Sequence, residues 1–146
     1  MDCESSLEHS RKRRYENEFL NVFPTIQIGN KSFEAKGIVD TASNRTCFSR
    51  NFVEKHNLIQ FLKKTETSIN CSSGDSVFTQ WEIPNVKIKF DKVNKCANVI
   101  ICVIENLPVP FLIGTDTLKS LGNINLDFHK RQVQMNDIIL LNENTP

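Results

Sequence analysis

Ile38 and Val39 run straight into Asp40 and Thr41, so a stretch with the texture of a buried strand ends on a carboxylate. A lone carboxylate is expensive to bury, and a polar break in a core strand therefore needs a reason. One reason is local: Asp40 can open a surface turn with Ser43 and Asn44, as Asp commonly does. The other lies far downstream, at Phe111-Leu112-Ile113-Gly114-Thr115-Asp116-Thr117-Leu118, where a second apolar run ends on a glycine. If the two run-ends meet, Asp40 sits inside the fold for its chemistry.

At 146 residues the chain has the size of one domain, able to bury roughly two-thirds of its unfolded surface. The formal net charge of +1 implies no broad field for nucleic acid or an anionic membrane. The longest apolar run, Val99 to Ile104, is too short to span a bilayer, so no membrane partner is expected. The start, Met1-Asp2-Cys3-Glu4-Ser5, carries no apolar segment of a signal peptide. Five cysteines (Cys3, Cys47, Cys71, Cys96, Cys102) make an odd number without a Cys-x-x-Cys pair. That argues against a disulfide framework and a zinc site, and for a reducing, cytoplasmic setting. The sequons at Asn30, Asn44 and Asn70 then read as chance. His9, His56 and His129 form no His-Glu-x-x-His pattern, and no Gly-x-Ser-x-Gly elbow, P-loop or dinucleotide fingerprint is present. Neither metal nor cofactor is expected.

Residues 1–21 lack periodicity and read as a basic, solvated leader or linker. Their Arg11-Lys12-Arg13-Arg14 run is too short to specify a nucleic-acid partner. Residues 22–141 read as the folded domain and 142–146 as a polar tail. Thr25 to Ile28 alternates, Gly29-Asn30 turns, and Ser32 to Val39 returns as one strand that delivers Asp40. Thr46-Cys47-Phe48 is a short strand, after which Ser49 can cap a helix over Arg50 to His56. Thr65 to Asn70 and Val77 to Trp81 form two arms around the small tip Cys71-Ser72-Ser73-Gly74-Asp75. Val86 to Phe90 alternates, and Ala97 to Ile104 reads as a strand covered on both faces. Pro108 and Pro110 confine a loop. A helix capped by Thr115 or Asp116 runs to Leu121 and ends at Gly122, and strands follow at Ile124 to Phe128, Val133 to Met135 and Ile138 to Leu141. The sum is an all-β chain with two short helices.

The two motifs together resemble those of the retropepsins, the aspartic proteases of retroviruses and long-terminal-repeat retrotransposons. In that family two apolar residues precede Asp-Thr/Ser-Gly, and an apolar pair, Gly and a short helix follow far downstream. Ile38-Val39-Asp40-Thr41-Ala42-Ser43 matches the first pattern and Leu112-Ile113-Gly114-Thr115-Asp116-Thr117-Leu118 the second, within a likeness spanning Phe23 to Met135. The resemblance implies a closed, barrel-like β fold with a flap hairpin and one short C-terminal helix. It makes Asp40 catalytic, with Thr41, Ala42, Ser43, Ile113 and Gly114 supporting it and Cys71, Ser72, Ser73, Gly74 and Asp75 at the flap.

Hydrolysis by an aspartate dyad needs two carboxylates sharing one proton, and the chain has one such motif. The expected enzyme is therefore a homodimer with its site on the two-fold axis, cleaving peptide bonds of a polyprotein substrate. Asp116, at a helix start, reads as structural. One departure stands out: Ala42 occupies the family's glycine position, where a methyl can obstruct the approach of backbone to substrate or carboxylate. At negative φ the methyl costs little, whereas at positive φ it costs roughly 1 kcal/mol or more. The alternative to a protease is an impaired, domesticated relative acting as a dimerisation or protein-binding module.

Overall fold

The computed structural model describes residues 20–70, 76–90, 95–122, 124–127, 129–130, 132–135 and 138–142. The Arg11–Arg14 run, the hairpin tip Cys71–Asp75 and the tail from 143 onward lie outside them. In chain order the strands are β1 (Leu20–Val22), β2 (Thr25–Ile28), β3 (Lys31–Glu34), β4 (Gly37–Val39) and β5 (Cys47–Ser49). Helix α1 (Arg50–Lys55) and a 3-10 turn (Ile59–Phe61) precede β6 (Lys63–Asn70), β7 (Ser76–Lys89), β8 (Cys96–Ile104) and β9 (Phe111–Ile113). Helix α2 (Thr115–Leu121) leads to β10 (Ile124–Asp127), β11 (Gln132–Met135) and β12 (Ile138–Asn142). The first nine strands make one sheet in the order β1-β4-β9-β5-β8-β7-β2-β3, with β6 paired on β7. The last three form a separate antiparallel sheet. The large sheet curls into a half-barrel, so the all-β expectation holds.

Several elements differ in extent from the sequence reading. The stretch Ser32 to Val39 is two strands, because buried Ala35 donates its N–H to Pro24 O (3.1 Å) and turns the chain. As a result β3 pairs with β2, while β4 crosses to lie between β1 and β9. Leu20 and Asn21, placed in the leader by composition, belong to β1 and face Val39 and Ile38 of β4. A three-residue strand is too short for its periodicity to register. Val77–Trp81 and Val86–Lys89 belong to the single strand β7, which is irregular between Ile83 and Val86, and Phe90 lies just past its end. Asn85 there has φ 58°, and Pro84 sits at the same bulge, where no ladder N–H is needed. Strand β8 is covered on both faces only from Ile101 to Ile104; before that it alternates, with Ile100 exposed. Helix α1 begins as expected, since Ser49 Oγ accepts from Phe52 N–H at 3.1 Å. Helix α2 does not, because its cap is Gly114 with no side-chain cap bond; the Asp116 carboxylate is used elsewhere.

Candidate active site

Strand β4 lies parallel to β9, with Ile38 opposite Leu112 and Val39 opposite Ile113. That register brings the ends of both sequence motifs side by side. Asp40, the first residue past β4, donates its N–H to Ile113 O at 2.9 Å, which extends the ladder by one bond. Its carbonyl accepts from Ser43 N–H at 3.2 Å and its Oδ1 from Ala42 N–H at 3.0 Å. The predicted turn is therefore real, but it is not at the surface: Asp40 is 0% exposed. Both readings of the sequence met halfway, in a turn built inside the fold.

Thr41 and Ala42 are exposed at the crest of this loop, while Ser43 is buried at its return. Ser43 Oγ donates to Arg45 O (2.8 Å), and Ser43 O accepts from Thr115 N–H (2.9 Å), so the loop is tied to the start of α2. Among the described non-glycine residues only Asn57 and Asn85 have positive φ. Ala42 thus falls on the inexpensive side of the two cases, and its methyl does not strain the backbone.

Gly114 is required where it stands. A Cβ at this position would lie 2.4 Å from Arg45 O and 2.6 Å from Arg45 C, with backbone on both sides of the clash. The close approach lets Gly114 donate its N–H to Thr46 Oγ1 at 3.1 Å. Thr46 is fully buried and is the centre of a network the sequence reading did not find. Its N–H donates to Asp116 Oδ2 (3.1 Å), and its hydroxyl donates to Asp116 Oδ1 (2.6 Å). A hydroxyl has one proton, so Thr117 Oγ1, 2.5 Å away, is the donor to Thr46. Asp116 also accepts from Thr117 N–H at 2.8 Å and lies 3.9 Å from Arg45 Nε. The signal that could have found the network is the pairing of a Thr soon after the acid motif with Asp-Thr just after the glycine motif. Asp116 is structural, as expected, but as the clamp between the two motifs and not as a helix cap.

Ile38 and Leu112, paired across β4 and β9 just before the Asp40 loop, belong to a buried apolar cluster with Cys47, Ile69, Cys102, Ile104 and Val109. Burial pushes the Cys102 thiol above its ordinary value, against the opposing pull of Arg45, so it stays protonated and packs. A cavity of about 460 Å³ opens elsewhere, between Ala35, Phe52, His56 and Pro108–Pro110, and Asp40 is not among its walls. No helix of the described residues is long and apolar enough to cross a membrane.

No protein-family model matches the chain, and no curated protein matches it in sequence. Among solved structures it is similar to the crystal structure of the retroviral protease-like domain of Ddi1 from Leishmania major. The TM-score is 0.54, at 15% identity over 87% of this chain and 98% of that one. The fold is retropepsin-like. At this identity the likeness is one of architecture, and the function must be argued from the residues.

Proposed function

We propose that the chain is an aspartic endopeptidase that hydrolyses peptide bonds, as in polyprotein processing, through a dyad made by Asp40 of two copies. The observation that carries this reading is the fully buried Asp40, held by its own N–H on Ile113 O beside Gly114. Such a carboxylate is fixed in direction by backbone, while the exposed crest at Thr41 and Ala42 leaves the loop open to a second copy. Two carboxylates brought within a few ångströms cannot both ionise, and the pair titrates as a unit. The ionised member takes a proton from water as it attacks the scissile carbonyl. The protonated member polarises that carbonyl and then protonates the leaving nitrogen. The retropepsin resemblance implies a preference for hydrophobic side chains next to the cut. Ala42, free of positive φ, adds no backbone strain to the loop.

The test is cleavage of an unstructured protein such as casein at mildly acidic pH. Wild type should cleave, and Asp40→Asn should lose at least about 1,000-fold in kcat/KM, a loss in the range of removing an essential catalytic group. A pepstatin-type inhibitor should block the remaining wild-type rate. Sedimentation should show dimers at micromolar concentration. Dimers without cleavage by any variant would support the non-catalytic module instead. A stable monomer that still cleaves would overturn the shared dyad.

A further inference from the structure

We propose that Asn44 is a positioning residue that ties the hairpin arm β6 to the Asp40 loop in the free protein, a tie that an incoming peptide must break. The mechanistic consequence rests on the protease reading; the tie itself rests on geometry. Asn44 lies four residues after Asp40, and Asn70 is the last residue of β6. Asn44 N–H donates to Asn70 O at 3.3 Å, and Asn44 Oδ1 accepts from Asn70 N–H at 3.0 Å. One residue thus satisfies both main-chain groups of the strand end, with its backbone and its side chain. Ser76 Oγ, across the hairpin, donates to Asn70 Oδ1 at 3.3 Å and holds that side chain aside.

The neighbouring residue gives the tie its consequence. Ile69 is 0% exposed and packs with Ile38, Cys47 and Leu112, the residues next to Asp40 and its partner strand. While the tie holds, this arm covers the apolar surface beside the acid. Asn44 and Asn70 are themselves exposed, so water can replace each bond as it opens. An extended peptide offers the same alternating N–H and C=O groups as a strand, and it competes for the same partners when it enters between loop and hairpin. Asn44 therefore sets how readily the site opens, without touching the reacting atoms.

The test uses the full chain and compares wild type, Asn44→Ala and Asn44→Asp. The position is exposed, so neither variant threatens the core. In Asn44→Ala the Asn70 amide should exchange roughly 2- to 12-fold faster, the factor expected for one lost hydrogen bond. Asn44→Asp keeps an oxygen acceptor and should stay within about twofold of wild type. The amides of Asp40 and Gly114 should not change in either variant. With casein as substrate, Asn44→Ala should lower KM by a similar factor and leave kcat within about twofold. Unchanged Asn70 exchange in Asn44→Ala overturns the tie. A raised KM also overturns it, because Oδ1 would then serve the substrate and not the hairpin. If no variant cleaves casein, the protease reading fails separately, and the exchange rates alone uphold or overturn the tie.

Discussion

Strands β4, β5, β9 and the end of β8 are buried on both faces, and the two faces are closed by different kinds of element. Val39, Phe48, Ile101, Val103, Phe111 and Ile113 turn to the larger cluster, and Ile38, Cys47, Cys102, Ile104 and Leu112 alternate to the smaller one. The larger cluster is sealed by helix α1 and by ring packing. Phe48 lies 4.5 Å from Phe52 and meets Phe111 edge-on, at 5.3 Å and 75°. The smaller cluster is covered by Ile69 and Val109, with Val77 and Leu107 at its margin, all from the hairpin and the proline loop. The difference is between a cover fixed by a helix and a cover made of an extended arm and a loop. A helix welded to the sheet cannot leave without unfolding, whereas a hairpin arm can lift by itself.

The largest effect should separate these two faces directly. Phe48→Ala removes a ring buried at 0% exposure and should cost about 3–5 kcal/mol of global stability in urea unfolding. Ile69→Ala also opens a fully buried site, but under a cover that can settle, and should cost about 2 kcal/mol. Its amide exchange should rise along β6 and β7 first, with β5 and β9 unaffected. Equal losses, both global, would erase the distinction between a fixed and a movable cover.

A smaller effect should show that the polar clamp belongs to the fixed side. Thr46→Val keeps the shape but removes the hydroxyl that serves Asp116, Thr117 and Gly114. Leaving those groups short of partners should cost about 1–3 kcal/mol. Thr46→Ser, which restores the oxygen, should recover most of it. If valine is tolerated as well as serine, Gly114 is positioned by packing against Arg45 alone.

The doubly buried strands also explain what the sequence disclosed. Ile38-Val39, Leu112-Ile113 and Ile101 to Ile104 are continuous apolar pairs and runs because each residue has a core to face, so they read clearly as interior strands. Asp40 and Gly114 were legible because each interrupts such a run with a residue of special chemistry. The Thr46 network was not, since a buried Thr and an exposed one look alike until their partners are placed. Nor was the Asn44–Asn70 tie: it joins residues 26 apart through a backbone that periodicity does not describe. The break at Ala35 escaped for the same reason, as its cause is a carbonyl at Pro24 and not a local breaker.

The smallest effect concerns acid, and it probes the rim of the larger cluster. The His56 imidazole stacks on Phe33 at 4.5 Å and 10° and leans on Phe52 at 4.3 Å. Burial, then the charges of Lys55 and Lys31, hold its pKa below the ordinary imidazole value. Lys31 is kept nearby because its Nζ donates to His56 O at 3.3 Å and Asn57 O at 2.5 Å. The unfolded chain therefore takes up this proton first, starting near pH 6.5, and stability falls as pH drops from there through the lower folded pKa. Below that value both states are protonated and the loss is complete. His56→Phe keeps a ring against Phe33 and Phe52 but does not titrate, so it should lose less stability than wild type between pH 7 and pH 5.5. Exchange of the Phe52 and Val53 amides should rise with acid before that of Ile69, because the proton lands on the fixed face and not under the hairpin. Parallel pH profiles for wild type and His56→Phe would mean that the imidazole is as well accommodated charged as neutral, and that this rim carries no acid sensitivity. An assay run at mildly acidic pH would then face no opposing loss from this rim.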